Sequence, residues 1–432
     1  MNTPDGRTAT EHDTDRILYS DALRRLGGVT QVVAVGEMPL FHTRLTHTLK
    51  VQQLARRIAE HLVRDHRNDA IREEIGGIDV GACEAAGLAH DLGHAPFGHV
   101  GETALDAKCR DGGLDGFEGN AQTFRILTKL ARRGGANSFG LGLSDVTLRA
   151  VIKYPWLRTG EHESDSKWNA YPTEAAAFEQ ARRGCPAGSP SVEASIMDVA
   201  DDITYAVHDL EDFIRANRVP IVTLATDNLE MVRFTSRAVG RLKSRKTDID
   251  WDEAVSQFVT VLQAMFAQFR IHTGSVEDLA TLQDASRFLI NQYVGAITLQ
   301  AGEKPVALPP STVGEVELWK QLPWHYVIHE PALATLQQGH VKVVEGLFDE
   351  LVTWLDKADV DKVLYRLPTR LQDLYSITLT EPGSEAYANK EARRARAVAD
   401  YIASLTEGQA IDLHERLAGA GVHSVLDPWL AY

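Results

Sequence analysis

Apolar residues recurring at helical spacing constrain this chain most, because a period of about 3.6 residues fits one face of a helix and no strand. From Leu45 to about His66, the residues Val51, Leu54, Ala55, Ile58 and Leu62 form one stripe, and His47 lies on its inward side. A small-residue helix is expected from about Val80 into His90-Asp91, another over Gly98 to Cys109, and a long one from Ser191 to about Asn217. Further helical patterns cover Asp252 to Phe269 and Val276 to Tyr293. A short helix from about Arg16 should end at Gly27-Gly28, and Asn120 and Ser144 are candidate N-caps. One strand pair interrupts this pattern, Ala296 to Gln300 with Pro305 to Leu308. The expected class is all-α with additional C-terminal helices and a small β-ribbon.

Composition narrows the function. With 45 Lys+Arg against 60 Asp+Glu, the formal charge of −15 disfavours a protein that coats nucleic acid. No apolar run approaches the roughly 18 to 20 residues of a membrane span, and the polar N-terminus lacks a signal segment, so a cytoplasmic protein without membrane contact is expected. Cys83, Cys109 and Cys185 are three widely spaced thiols, suited neither to a disulfide framework nor to a thiolate zinc site.

Chemistry concentrates elsewhere. His47, the pair His90-Asp91 and the run Asp201-Asp202 offer imidazole nitrogen and carboxylate oxygen, the donors that divalent cations take. Singly each is weak, since a lone histidine on an apolar stripe is more often a hydrogen-bonded core residue. Asp201, Tyr205 and Asp209, however, recur every four residues beside an apolar flank. The segment from His90 to Glu102 adds His94, His99 and Glu102, more titratable groups than packing requires and suited to acid–base work.

Longer motifs carry a resemblance: Leu23-Arg24-Arg25-Leu26 with Thr30-Gln31-Val32, Thr43 to Leu49, Ala89 to Glu102, Phe117 to Gln122, Lys153-Tyr154-Pro155, Ala200 to Tyr205 with His208-Asp209-Leu210, and Asp400 to Ala403. In this ordered series the chain resembles the HD-domain deoxynucleoside triphosphate triphosphohydrolases, the dGTPase-like family. The resemblance implies an HD-domain helical bundle: a disordered segment over residues 1–15, an HD-type catalytic core over 16–220, and a C-terminal helical region over 221–432. That last region, with its β-ribbon near 296–308, would pack on the core and contribute to the pocket and to oligomerisation.

By the same resemblance His47, His90, Asp91 and Asp201 hold a divalent metal ion, Mn, Mg or Fe, with Ni or Zn as ions a crystal could carry. His94, His99 and Glu102 surround the scissile phosphate. Arg44 and Lys153 contact phosphates, Tyr205 and Asp209 read the deoxyribose, and Gln31, Glu118 and Asn120 line the pocket. The implied reaction is hydrolysis of deoxynucleoside triphosphates, dGTP foremost, at the α-phosphorus to nucleoside and tripolyphosphate. Family members form tetramers or hexamers, and the resemblance admits a nucleotide or single-stranded DNA effector. The alternatives are another HD-type nucleotidase or phosphodiesterase, or a low-activity regulatory binder of nucleotide or single-stranded nucleic acid. Because the substrate is itself a polyanion, the acid excess is expected on the outer surface, away from the pocket.

Overall fold

Glycine and alanine let helices approach closely, and the first half of this chain uses them to gather its histidines. The computed structural model describes residues 5–31, 42–133, 138–266, 274–328, 331–420 and 424. Their regular structure is helical apart from one two-stranded antiparallel ribbon in which Thr298 pairs with Ala307 and Leu299 with Val306. Among the described residues no helix is long and apolar enough to cross a membrane. The three thiols are free.

The chain divides into two compact units that interleave along the sequence, where a boundary near residue 220 is the sequence expectation. The first comprises residues 1–53, 79–197 and 337–432, and the second residues 54–78 and 198–336. Residues 337–420 thus fold with the His-Asp segment.

In the first unit, Leu88, Ala89, Leu92, Phe124 and Leu127 share a core with Leu347, Leu351, Leu374, Val398 and Ile402. Beneath them lies a fully buried ion network. The Arg125 guanidinium, 0% exposed, donates to Asp400 through Nε at 2.9 Å and to Glu174 and Glu381 through Nη1 at 2.8 Å each. Lys129 lies 2.9 Å from Glu174, Gln122 donates to Asp400 at 2.9 Å, and Tyr387 donates to Glu381 at 2.5 Å. Carboxylates so deeply buried require such partners, and removing one leaves the others uncompensated.

The N-terminal segment differs from expectation. Residues 9–18 form a helix that Thr8 opens by accepting from the Glu11 N–H, with the Glu11 side chain closing a capping box, so residues 9–15 of the stretch expected to be disordered are helical. Its buried positions are Thr10, Asp13 and Ile17, and Thr10 donates to Asp79 at 3.0 Å while Asp13 accepts from Ser144 at 2.7 Å. Polar burial of this kind leaves no apolar stripe to read. A further short helix follows over Asp21–Arg25.

The second unit packs Phe234, Phe258 and Trp319 together, with Phe258 edge-on to Trp319 at 4.7 Å between ring centroids. Glu315, 0% exposed, accepts from Tyr293 at 2.7 Å and Trp319 at 3.3 Å. Burial pushes its carboxyl above the usual range, against the help of these two donors.

Replacing Arg125 with Met should lower the unfolding free energy by about 3–5 kcal/mol, measured by urea denaturation. An unchanged midpoint would remove the network from the account of stability.

Candidate metal centre

Helix Arg44–Arg64 carries His47, and helix Val80–Ala89 runs into His90-Asp91. What brings them together is Gly87. A Cβ there would meet Gln52 Cα at 2.8 Å and the Val51 carbonyl oxygen at 3.0 Å, so only glycine permits this approach of the two helices. His47, His90 and Asp91 are all buried, and one donor atom from each lies within 4.8 Å of the others. His90 donates from Nδ1 to the Gly87 carbonyl oxygen at 2.8 Å, the only role a ring nitrogen can take against a carbonyl. That orients the ring and, in the neutral form, leaves the lone pair on Nε2, which lies 3.5 Å from Asp91 Oδ2. Two imidazoles and a carboxylate are a donor set that divalent transition metals accept, and the oriented His90 tautomer fits that role.

The turn after Asp91 is clamped. Gly93 N–H donates to Thr123 Oγ1 at 2.9 Å, and that hydroxyl donates to the His90 carbonyl oxygen at 3.1 Å. A Cβ on Gly93 would stand 2.1 Å from the Gly119 carbonyl oxygen and 2.2 Å from the Thr123 nitrogen. From the other side Arg25 donates to the Leu92 carbonyl at 3.1 Å and the His94 carbonyl at 2.5 Å.

Around the triad, Arg44 donates to Asp91 Oδ2 at 2.9 Å, while His94 Nδ1 lies 3.1 Å from Asp91 Oδ1 and His94 Nε2 lies 3.5 Å from Glu102. His99 Nδ1 meets Glu102 Oε2 at 3.0 Å, and the His99 ring is 75% exposed. Burial opposes ionisation of Asp91, yet His90, Arg44, His94 and His47 together hold its carboxyl well below the usual range. Burial and the neighbouring Arg44 push His94 down to about 4, so its imidazole is neutral near pH 7. Burial likewise opposes the Glu102 anion, but His94 and His99 hold its carboxyl low.

The remaining expected residues take several positions. Arg44 is buried against Asp91, and Lys153 is half-buried with its ammonium 5.9 Å from the Tyr154 ring centroid. The cap of helix Gly119–Arg125 is Glu118, where Asn120 is the sequence expectation. The Glu118 carboxylate accepts from the Asn120 N–H at 2.5 Å, the Ala121 N–H at 3.1 Å and the Asn120 amide at 2.9 Å, because a carboxylate complements the helix N-terminus better than an amide. Ser144 caps its helix as expected. Gln31 is half-buried.

Asp201 and Tyr205 belong to the second unit and are half-buried. Helix Val192–Thr204, which carries Asp201, ends at a π-helical turn, Tyr205–Asp209. The Asp209 side chain lies outside the described residues. The neighbouring Asp202 accepts from Lys320 at 2.8 Å.

Lys167 has no counterpart in the sequence reading. Its ammonium sits 2.8 Å from Glu118 and 4.0 Å from Glu102, reaching in from the irregular stretch between Trp156 and Pro190. Nothing periodic marks it.

An HD domain matches residues 44–206, and a phosphohydrolase-associated domain matches residues 306–416. Several relatives are described as deoxyguanosinetriphosphate triphosphohydrolase-like proteins. The one from Streptomyces coelicolor is 36% identical, with 96% of this chain and 93% of that protein covered. The one from Corynebacterium glutamicum strain R is 34% identical over 96% and 91%, and the one from Shewanella pealeana is 31% identical over 98% and 95%.

Gly93→Ala should destabilise the first unit by about 1–3 kcal/mol, the usual range for overpacking. Thermal unfolding indistinguishable from wild type would show that the turn has room the geometry denies.

Proposed function

We infer the reaction from one premise: the chain belongs to the HD-domain family of deoxyguanosinetriphosphate triphosphohydrolase-like proteins. On that footing we propose that it hydrolyses deoxynucleoside triphosphates at the α-phosphorus, dGTP foremost, releasing nucleoside and tripolyphosphate. The observation that carries this reading is the buried triad His47, His90 and Asp91, with the His94, His99 and Glu102 group directly beside it.

His47, His90 and Asp91 would hold a divalent cation such as Mn, Mg or Fe, with Asp201 as the fourth donor on the strength of the Ala200 to Tyr205 motif. When bound, such an ion supplies Lewis acidity at the phosphoryl oxygens and a nucleophile near neutral pH. Attack of water on the α-phosphorus breaks its bond to the 5′-oxygen, which must leave with a proton. Exposed His99, held through Nδ1 by Glu102, is placed to deliver that proton from Nε2. His94, neutral between Asp91 and Glu102, keeps those two carboxylates apart without adding charge of its own. A triphosphate brings about four negative charges, which preorganised cations must meet. Arg44 offsets Asp91, Lys167 offsets Glu102 and Glu118, and Lys153 remains a candidate for direct phosphate contact. Tyr205 and Asp209 are assigned to the deoxyribose, with Gln31, Glu118 and Asn120 on the pocket wall. Assembly into a tetramer or hexamer, and activation by nucleotide or single-stranded DNA, accompany this reading.

The test is a panel of the four deoxynucleoside triphosphates, alone and mixed, with Mn or Mg and product analysis by phosphorus NMR. Tripolyphosphate is expected from dGTP, whereas phosphate or pyrophosphate would sink the α-phosphorus mechanism. Asp201→Ala should abolish turnover, and full activity in that variant would mean the wrong acid was chosen. Ribonucleotides cleaved as fast as deoxyribonucleotides would remove the sugar-reading role.

A further inference from the structure

Glu407 begins the helix Glu407–Leu417, far from the His-Asp pair in sequence, yet its carboxylate is buried at 5% exposure against Thr30 and Phe97, which lie just before two helices of the site. Its Oε1 accepts from the Thr30 N–H at 2.9 Å and from the Phe97 N–H at 3.0 Å, and its Oε2 accepts from the Thr30 hydroxyl at 2.6 Å. Those two residues head the two segments that feed the site. Thr30 bridges antiparallel to Thr43, and the Arg44 N–H donates to the Val29 carbonyl at 3.1 Å, so this contact sets where helix Arg44–Arg64 starts. Phe97 immediately precedes helix Gly98–Asp111, which carries His99 and Glu102 and has no side-chain cap of its own.

Phe97 is also strained. Its φ of 67° and ψ of 20° lie in the left-handed region, and Gly98 follows at φ 57°. A bulky side chain there is strained and persists only where its surroundings over-determine it. Two contacts do so here: the hydrogen bond to Glu407, and the stacking of the Phe97 ring on His340 at 4.2 Å between centroids. The segment before Glu407 is fixed in turn. Arg25 donates to the Leu405 carbonyl at 3.0 Å with one nitrogen while reaching the Leu92 carbonyl with another, and a Cβ on Gly28 would come within 2.7 Å of Thr406.

We propose that Glu407 is a positioning residue for the reaction. By holding Phe97 in its left-handed turn, it aims the His99–Glu102 pair, and through Thr30 it aligns Arg44 with Asp91. An acid at a helix N-terminus would by itself serve only the helix dipole, but that role does not call for both carboxylate oxygens to be spent on two distant segments. The proposal rests on the hydrolase reading for its kinetic arm and on the geometry alone for its exchange arm.

The experiment compares wild type, Glu407→Ala, Glu407→Gln and Thr30→Val as full-length protein. For Glu407→Ala, kcat on dGTP should fall about 10- to 100-fold, the scale set by an ångström of misplacement. KM should stay within about twofold, because substrate binding is not what is lost. Glu407→Gln keeps an oxygen acceptor for both N–H groups and should recover most of kcat, and Thr30→Val should fall between. Amide hydrogen exchange over residues 97–102 should accelerate in Glu407→Ala and not in Glu407→Gln, with bound Mn per chain unchanged in both. If Glu407→Ala does not fold, the Gln and Val variants carry the same comparison. Wild type inert toward dGTP would overturn the hydrolase reading and leave the exchange result to decide this one. Unchanged exchange at 97–102 in Glu407→Ala, or equal kcat in Glu407→Ala and wild type, would overturn the positioning role.

Discussion

A single buried carboxylate, that of Asp91, sets the terms for its surroundings. An ionised acid at 4% exposure is tolerated only if positive or hydrogen-bonding groups are held around it. Arg44 donates to it at 2.9 Å, and the His94 ring lies 3.1 Å away on another side. Each comes from a different place in the chain, so satisfying Asp91 requires the start of helix Arg44–Arg64, the end of helix Val80–Ala89 and the turn that follows to converge. Gly87 and Gly93 are the spatial condition for that convergence, since a side chain at either would collide with backbone. The same demand explains why the C-terminal segment folds into this unit. The Arg125 network and Glu407 come partly from beyond residue 380, and they fix the elements on which the turn rests.

Helices were legible because their apolar stripes are strong. Val51, Leu54, Ala55, Ile58 and Leu62 are all buried as the periodicity requires, and the small ribbon sits between Thr298 and Ala307. The first helix was hidden because its buried face is largely polar: Thr10 and Asp13 are paired with partners far along the chain. The π-turn at Tyr205–Asp209 was hidden because it changes the rise of a helix without changing its hydrophobic pattern. Of the site, His47, His90 and Asp91 stood out as residue types. Their supports did not. Glu118, expected only on the pocket wall, caps its helix, Thr123 clamps a turn, and Lys167 arrives from an irregular stretch, and these roles depend on pairings that one sequence does not display.

The acidic total has a local meaning. Near the triad the three acids Asp91, Glu102 and Glu118 share two cations within 4.0 Å, Arg44 and Lys167. Most of their charge is thus offset locally, although the chain carries a formal −15. A polyanionic substrate still needs added positive charge there, which a divalent ion would supply.

That His47, His90 and Asp91 hold one divalent ion underlies the chemistry proposed for this protein. The most direct test is metal content, by Mn titration followed by electron paramagnetic resonance and by elemental analysis, on wild type and on His47→Ala and His90→Ala with folding checked by circular dichroism. One tightly bound ion per chain is expected in wild type and none in either folded variant. Equal Mn content in wild type and both variants would contradict it.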